Sequence, residues 1–175
     1  EGSSVLSFSS TPTNVEALAL KRLMDVVLSA AALVVLAPIL MFIALLVKLD
    51  DPKGPILFGQ VRSGLYGRTF TMWKFRSMVA DAERLKAALE AKNEMDGPVF
   101  KITDDPRITR LGRFIRKTSI DELPQFWNVF IGEMSLVGPR PPIPAEVEKY
   151  ERWQRRRLSM KPGITSRPLW SCRCQ

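Results

Sequence analysis

The longest apolar stretch of the chain covers residues 26–47, and no charged side chain interrupts it. A helix needs roughly 20 apolar residues to cross the hydrocarbon core of a bilayer. The alternative is a buried core helix, but core helices of this length are rarely apolar on every side. The pattern therefore predicts a helix that is inserted in a membrane.

Two features of this stretch bear on its path through the membrane. Pro38 lies near its middle, where a proline removes a backbone hydrogen bond and favours a kink. Basic residues flank both ends, Lys21 and Arg22 before it and Lys48 and Lys53 after it. Because positive charge favours the cytoplasmic side, we predict a kinked helix that enters and leaves the membrane on the same face. A crossing helix with a mild kink is the alternative.

The remaining pattern indicates short strands and amphipathic helices. Residues 56–62 and 69–75 are predicted to form the two strands of a β-hairpin, joined by a loop that contains glycine. The spacing of apolar residues predicts further helices at 81–93, 123–130 and 145–160. The expected fold class is α+β and mainly helical, with a membrane helix and a small cytoplasmic domain that contains the hairpin and interfacial amphipathic helices.

The charge of the chain narrows the chemistry. The net charge is +8 over 175 residues, which suggests an anionic partner such as a nucleic acid, an anionic lipid or a phosphorylated substrate. The chain contains no histidine, so any acid–base or metal chemistry must use carboxylates. Cys172 and Cys174 are too close together for a stabilising disulfide and too few for a zinc site, so we assign them no structural role.

Asp121 and Glu122 are the first candidates for chemistry, because they lie between a basic stretch and an apolar helix. An adjacent carboxylate pair can hold a divalent cation, act as a base or attack phosphorus as a nucleophile. The alternative is helix capping, since Ser119 and Glu122 have capping-box spacing and acids favour helix N-termini. Spacing alone leaves both interpretations open.

Basic side chains near this pair are candidates for binding substrate phosphates, because a guanidinium suits bidentate phosphate recognition. One of them is flanked by Pro139 and Pro141, whose restricted backbone presents Arg140 at low entropic cost. The alternative for each is an ordinary exposed charge. The candidates are Lys74, Arg76, Arg116 and Arg140.

Together these segments resemble the monotopic phosphoglycosyl transferases, the bacterial sugar transferase family that starts polysaccharide and glycan assembly on polyprenyl phosphate. The resemblance covers about residues 21–165 and includes the hydrophobic helix interrupted by Pro38. Any one of the motifs would be a weak signal, whereas the ordered set is highly specific. The motifs are KRLMD at 21–25, KFRSM at 74–78, DDPRIT at 104–109, TSIDELPQ at 118–125, VGPRP at 137–141 and KPGIT at 161–165.

The resemblance implies a function in some detail. The helix would be re-entrant, dipping into one leaflet of the bacterial inner membrane, with the active site on the cytoplasmic face. Asp121 would attack the β-phosphate of a UDP-sugar, release UMP and carry the phospho-sugar until polyprenyl phosphate accepts it. Mg²⁺ would be held by Asp121 and Glu122, while the four basic residues, with Pro139 and Pro141, would contact the substrates. Membrane lipids and a second copy of the chain, in a homo-oligomer, are the other expected partners.

The resemblance also divides the chain. The predicted organisation is a linker or disordered arm at 1–12, a catalytic domain at 13–165 with its membrane helix at 26–47, and a tail at 166–175. That tail departs from the family pattern, so we expect a truncated or altered end, and the absence of an initial methionine suggests a missing N-terminal part. The segment DGPVFK at 96–101 resembles members from exopolysaccharide pathways, which often use glucose or galactose.

A second class of function is a membrane-tethered module whose basic stretch at 107–117 binds nucleic acid or an acidic partner. Carboxylates repel phosphates, so a nucleic-acid binder has no need for an acid pair beside its basic patch. The acid pair therefore favours the enzyme, and no nucleic-acid partner is expected.

Overall fold

A long helix dominates the N-terminal part of the protein, for which the computed structural model describes residues 15–82, 84–85 and 105–165. Helix α1 covers Val15–Asp50, 36 residues, which corresponds to about 54 Å at the rise of an α-helix. It is long and apolar enough to cross a membrane, and in its middle Val34 and Val35 are 75% and 71% exposed. The predicted membrane segment at 26–47 lies within this helix, which Pro38 does not end.

The β-hairpin predicted after the membrane helix is confirmed. Its strands β1 (Leu57–Ser63) and β2 (Thr69–Phe75) pair antiparallel, with Phe58 opposite Lys74. The loop between them contains a 3₁₀ turn at Leu65–Gly67. Because directly opposed residues of an antiparallel pair share a face, the hairpin places Lys74 beside Phe58.

Short helices and a second small sheet make up the rest of the described chain. In chain order its elements are α2 (Arg110–Lys117), the 3₁₀ turn Ile120–Glu122, α3 (Gln125–Ile131), β3 (Ser135–Val137), α4 (Pro144–Glu148), the 3₁₀ turn Gln154–Ser159 and β4 (Gly163–Thr165). Strands β3 and β4 run parallel. With α1 and the hairpin, these elements are compatible with the predicted α+β class.

The two helices predicted in the C-terminal half have different outcomes. The helix predicted at 123–130 is present as α3. The helix predicted at 145–160 is wrong as a single element, because α4 stops after five residues. The side-chain oxygen of Gln154 accepts a hydrogen bond from the Glu151 N–H at 2.8 Å, so that N–H does not continue the α-helical pattern and a separate 3₁₀ turn follows.

Several sequence predictions fall outside the described residues. They concern the arm at 1–12, most of the helix at 81–93, the segment at 96–101 and the tail at 166–175. These stay predictions, and so do the domain boundaries.

Polar contacts fix the N-terminal part of α1 to the domain. Arg22 donates hydrogen bonds to the carbonyl oxygens of Val129 at 2.8 Å and Phe130 at 2.9 Å, near the end of α3. A cation there complements the carbonyls that a helix C-terminus leaves unpaired. The buried carboxylate of Asp25 accepts a hydrogen bond from the Leu136 N–H at 3.1 Å. These contacts tie the start of the membrane helix to α3 and β3.

Apolar contacts fix the C-terminal part of α1 to the same domain. Ile43 and Val47 form a buried cluster with Phe75 of β2 and Ile115 of α2. Burying each such side chain contributes about 1.5–3 kcal/mol. Both parts of α1 therefore contact one folded unit, although the exposed apolar segment lies between them.

A fully buried amide holds α3 against the hairpin. Asn128 donates from Nδ2 to the Thr71 carbonyl oxygen at 2.8 Å and accepts from the Trp73 N–H at 3.2 Å, so its amide pairs with β2 as a neighbouring strand would. Its Nδ2 also donates to the Glu133 carboxylate at 2.6 Å. These bonds satisfy the amide, as burial requires, and they fix α3 and the turn before it relative to β2.

Candidate active site

The acid pair lies in the 3₁₀ turn between α2 and α3. Ser119, just before the turn, adopts a left-handed conformation with φ of 56°, which is uncommon for a residue other than glycine. Its side chain makes no capping hydrogen bond, and Pro124, at the start of α3, makes none either. The capping box between Ser119 and Glu122 is therefore absent, although both acids do lie in the first turn, where a helix N-terminus favours negative charge.

Asp121 is a buried carboxylate on the wall of a cavity of about 700 Å³, with only 8% of the residue exposed. Burial raises the pKa of its carboxyl above the ordinary value, because the charged form loses hydration. The positive charges of Lys74 and Arg116 lower this pKa, and the negative charge of Glu122 raises it. A desolvated acid among cations is typical of a reactive group.

Glu122 has a different environment from its neighbour. Its Oε1 accepts a hydrogen bond from Lys74 Nζ at 2.6 Å, and both side chains are partly exposed. Since Lys74 belongs to β2, this ion pair joins the hairpin to the turn. The positive charge of Lys74 also lowers the pKa of Asp121. One ammonium therefore affects both carboxylates, the buried one and the partly exposed one.

The two carboxylates also bear on the predicted Mg²⁺ site. Within the described ranges, no group of three or more acidic, histidine or cysteine side chains is placed to hold a metal ion. Mg²⁺ commonly binds through one or two carboxylates together with waters and substrate phosphates. Asp121 and Glu122 fit that donor set, because both carboxylates come from one turn at the cavity.

Arg76 connects the end of α1 to the cavity wall. Its Nη2 donates to the Asp51 carbonyl oxygen at 2.7 Å and lies 3.5 Å from the Asp51 carboxylate. Its Nη1 is buried and has no hydrogen-bond partner in the part of the chain that the structure describes. Gly54 lies against this group, since a Cβ built on the glycine would be 1.2 Å from Nη1. The segment that follows the membrane helix therefore holds Arg76 from one side.

The proline-rich segment forms another part of the wall. Arg140 and Pro141 line the main cavity, and Arg140 also lines a small neighbouring pocket with Pro139. The Ser63 N–H donates to the Pro142 carbonyl oxygen at 2.9 Å, which fixes this segment to the end of β1. A stiff backbone anchored to the hairpin therefore presents Arg140.

The structure brings most of the predicted site residues together. Glu122 contacts the site through Lys74 rather than lining the cavity, and Pro139 lies at the neighbouring pocket. The predicted residues that line the cavity are Lys74, Arg76, Arg116, Asp121, Arg140 and Pro141.

Further polar side chains on the wall were missed by the sequence reasoning. Arg62 lies on β1 in alternation with Phe58 and Gln60, and all three line the cavity. The sequence alone does not show which face of the hairpin the rest of the domain covers. The others follow the proline segment and carry no motif that separates them from surface residues. These others are Glu146, Tyr150 and Arg157.

The basic stretch at 107–117 has one buried member, Arg107, while Arg110, Arg113, Arg116 and Lys117 are exposed. Arg107 is buried and pairs with the Asp105 carboxylate, with 2.6 Å between Nη2 and Oδ2. The hydrogen bond from Arg107 lowers the pKa of Asp105. Arg107 and Arg116 both line the cavity.

Three relatives carry names that describe sugar transfer. The galactosyl transferase CpsE of Streptococcus agalactiae serotype III (strain NEM316) is 49% identical over 170 residues, 97% of this chain and 37% of CpsE. The undecaprenyl-phosphate galactose phosphotransferase of Salmonella typhimurium is 43% identical over 158 residues, 86% of this chain and 32% of the relative. The UDP-glucose:undecaprenyl-phosphate glucose-1-phosphate transferase of Escherichia coli (strain K12) is 44% identical over 149 residues, 83% of this chain and 30% of the relative.

The match covers the whole candidate site. The chain spans about a third of the length of these relatives. The family model described as bacterial sugar transferase matches residues 16–173, a range that includes nearly all of α1, the acid pair and the cavity wall. The chain therefore belongs to the bacterial sugar transferase family.

Proposed function

We propose that this protein transfers a hexose 1-phosphate from a UDP-sugar to polyprenyl phosphate and releases UMP. The observation that carries the proposal is the buried carboxylate of Asp121, which shares one cavity wall with Lys74 and several arginines. Such cations offset the charge of a diphosphate that approaches a carboxylate. The names of two relatives describe transfer of a sugar phosphate with undecaprenyl phosphate as a substrate. These names support the same substrate class for this protein.

In the first step, a carboxylate oxygen of Asp121 attacks the β-phosphorus of the donor. A bond forms between that oxygen and the phosphorus, and the bond from the β-phosphorus to the bridging oxygen breaks. The electron pair of the broken bond stays on the bridging oxygen, so UMP leaves. The protein then carries the phospho-sugar as an acyl phosphate on Asp121, while Lys74 and Arg116 offset the charge of the attacked phosphate.

In the second step, an oxygen of polyprenyl phosphate attacks the same phosphorus. The bond between phosphorus and the Asp121 oxygen breaks, and its electron pair returns to the carboxylate. The products are a polyprenyl diphosphate sugar and the free enzyme. Because a phosphate oxygen is the second nucleophile, this step needs no base to remove a proton from a hydroxyl group.

Mg²⁺ fits this proposal as a bound ion. Asp121 and Glu122 would hold it, and it would supply positive charge to the phosphates of the donor. The ammonium of Lys74 has a separate role, because it orients Glu122 through a direct hydrogen bond and favours the ionised form of Asp121.

The test combines product release with trapping of the intermediate. The full chain in detergent is mixed with UDP-glucose or UDP-galactose, the sugars that the relatives' names indicate, with and without polyprenyl phosphate. A stoichiometric burst of UMP without lipid, and a phospho-sugar mass on the peptide that contains Asp121, are expected. UMP formed only in the presence of lipid would mean direct transfer with Asp121 as a base. Absence of UMP with every donor would contradict the proposed function.

We further propose that α1 is re-entrant, with both ends on the cytoplasmic face of the bacterial inner membrane. In support, Arg22 and Asp25 near its start and Ile43 and Val47 near its end contact the same domain. A crossing helix would separate these contacts by a hydrocarbon core about 30 Å thick. The exposed apolar middle, which contains Pro38, then lies in one leaflet.

Exposed aromatic side chains extend the membrane face beyond α1. Phe114 of α2 and both Trp127 and Phe130 of α3 are exposed, and the rings of Trp127 and Phe130 lie 5.8 Å apart. Aromatic rings on amphipathic elements favour the interface between lipid and water. We infer that α2 and α3 lie at this interface, which brings the turn between them to the level of the lipid phosphate.

Labelling of single cysteines tests the topology. After Cys172 and Cys174 are replaced by serine, cysteines introduced at the exposed positions Val15 and Lys53 should react with a membrane-impermeant maleimide from the same side of sealed vesicles. Labelling of the two positions from opposite sides would contradict the re-entrant arrangement and would show that the helix crosses the membrane.

We expect Gly54→Ala to weaken donor binding, because the new methyl group would occupy the place of Arg76 Nη1 and displace the guanidinium. If Arg76 contacts a donor phosphate, the dissociation constant for the UDP-sugar should rise about tenfold, the loss expected for one charge-assisted contact. The displacement also breaks the hydrogen bond from Arg76 to the Asp51 carbonyl oxygen, so the unfolding temperature should fall, and binding is measured well below it. Calorimetry measures binding, with exposed Lys53→Ala as the control. Unchanged binding in Gly54→Ala would contradict the role of Arg76.

A further inference from the structure

Arg62 is a buried cation that neither proposed step uses. It lies on β1, is 8% exposed and lines the same cavity as Asp121. Its Nη2 donates to the side-chain oxygen of Gln60 at 2.8 Å, and its Nη1 donates to the Pro141 carbonyl oxygen at 3.4 Å. Both acceptors are neutral, so these hydrogen bonds hold the guanidinium without balancing its charge.

The remaining donor of this guanidinium has no partner. The Nε of Arg62 is buried and unpaired, and the one comparable atom in the described ranges is Nη1 of Arg76, on the wall of the same cavity. A buried donor that lacks an acceptor is unfavourable and calls for an explanation. Arg76 Nη1 lies against Gly54, whereas the unpaired donor of Arg62 indicates a ligand that supplies an acceptor oxygen.

Arg140 is close enough to Arg62 for its positive charge to act on that guanidinium. Both belong to the cationic side chains that line the cavity, which are Arg62, Lys74, Arg76, Arg107, Arg116, Arg140 and Arg157. Burial and the charge of Arg140 both lower the pKa of Arg62, because a desolvated cation beside another cation is disfavoured. Two adjacent cations on a cavity wall therefore favour a bound anion.

Glu146 supplies only part of that negative charge. Its carboxylate lies near enough to favour the charged form of Arg62, but its Oε2 accepts a hydrogen bond from the Ile143 N–H at 3.2 Å, at the start of α4. One carboxylate beside two guanidiniums leaves a net positive site. A phosphate group matches that charge and supplies the missing acceptor.

We propose that Arg62, together with Arg140, binds the phosphate of the donor that leaves with the nucleotide, the α-phosphate of the UDP-sugar. This inference rests on the proposed function and assigns the attacked β-phosphate to Lys74 and Arg116. A nucleoside diphosphate sugar carries two phosphates in a row, so a phosphate held by Arg62 and Arg140 has a neighbour that can lie beside Asp121, on the wall of the same cavity. The leaving phosphate gains negative charge as its bond to the β-phosphorus breaks, so a guanidinium there stabilises its departure.

The geometry of Arg62 suits this role. The Nε–H and one Nη–H of a guanidinium form an edge that grips a phosphate in a bidentate manner, and Nε is the atom without a partner. Gln60 and Pro141 hold the other two nitrogens, so the plane of the guanidinium is fixed before a ligand arrives. A group fixed in advance loses less entropy on binding.

The test compares UMP with uridine, which differ by the phosphate alone. Dissociation constants for both ligands are measured by ligand-observed NMR on the full chain in detergent, for the wild type, Arg62→Gln and Arg62→Lys. The matched control is Arg68→Gln, an exposed arginine of the same hairpin. Thermal unfolding of each variant is recorded first, because Arg62 also donates to the Pro141 carbonyl oxygen.

The ratio of the uridine to the UMP dissociation constant is the decisive quantity, because a loss of folded protein affects both constants alike. It should fall about tenfold or more in Arg62→Gln, less in Arg62→Lys, and stay at the wild-type value in Arg68→Gln. An unchanged ratio in Arg62→Gln overturns the assignment, and if UDP-sugar binding is nevertheless lost, Arg62 serves the attacked phosphate instead. A wild-type chain that binds neither UMP nor UDP-sugars contradicts the proposed function itself.

Discussion

Replacing Asp121 by asparagine is expected to abolish transfer and to leave the fold intact. The amide has nearly the same size but lacks an anionic oxygen that can attack phosphorus, so turnover should fall by at least about 10³-fold. UMP release is measured with saturating donor and lipid, and the phospho-sugar adduct is sought by mass spectrometry. Both signals should disappear together.

The same substitution has a defined effect on stability. Burial raises the pKa of Asp121, so the folded protein holds this proton more tightly than the unfolded chain does. Above the raised pKa the ionised carboxylate therefore opposes folding, and the neutral amide removes that effect. Asp121→Asn should unfold at the same temperature as the wild type or higher at pH 7, and the difference should vanish below the ordinary aspartate pKa of about 3.9.

Asp105→Asn is a control for which we expect the opposite change in unfolding temperature. The hydrogen bond from Arg107 holds the pKa of Asp105 below its ordinary value. Its ionised form therefore stabilises the fold above the unfolded pKa, and this contribution is lost as the pH falls through the folded pKa. The amide should lower the unfolding temperature at pH 7. If the unfolding temperature of Asp121→Asn fell by a similar amount, Asp121 would be a structural residue. It would then not be a nucleophile whose burial destabilises the fold.

Features that follow from local patterns could be predicted from the sequence. The long helix follows from an apolar run and the hairpin from two short strands around a glycine loop, and the structure confirms both elements. Asp121 and Glu122 stood out because a chain without histidine must use carboxylates. Their catalytic roles, the Mg²⁺ ion and a homo-oligomer stay predictions.

Features that depend on which partner a polar side chain contacts could not be predicted, whether that partner is near or distant in sequence. Arg62 resembles any charged strand residue until Pro141, 79 positions later, covers it. The end of α4 depends on the side-chain oxygen of Gln154, which accepts a hydrogen bond from the Glu151 N–H and so competes with the helix. Arg107 counted as one charge of a basic stretch, although its bonds to Asp105 bury and pair it. The sequence pattern thus identifies the acidic residues of the site, whereas the folded structure determines which basic side chains lie near them.

Replacing Lys74 by glutamine is expected to reduce turnover and to move the acid limb of the pH profile upward. Lys74 offsets charge on the attacked phosphate, and loss of one such contact lowers the rate by on the order of 10²–10³. Among the neighbouring charges, that of Lys74 has the largest effect on the pKa of Asp121, which it lowers. Without the ammonium this pKa rises further, so a higher pH is needed to ionise the nucleophile.

Glu122→Gln should move the acid limb of the pH profile to lower pH, opposite to the shift expected for Lys74→Gln. The negative charge of Glu122 raises the pKa of Asp121, so its removal lowers that pKa. Turnover falls because the ion pair that orients Lys74 at 2.6 Å is replaced by a weaker hydrogen bond to a neutral amide. Initial rates of UMP release at saturating donor are measured from about pH 5 to about pH 8 for the wild type, both variants and the exposed control Lys53→Gln. Shifts in the same direction, or no shift, would show that this ion pair does not govern the ionisation of Asp121 and that the acid limb reports another group.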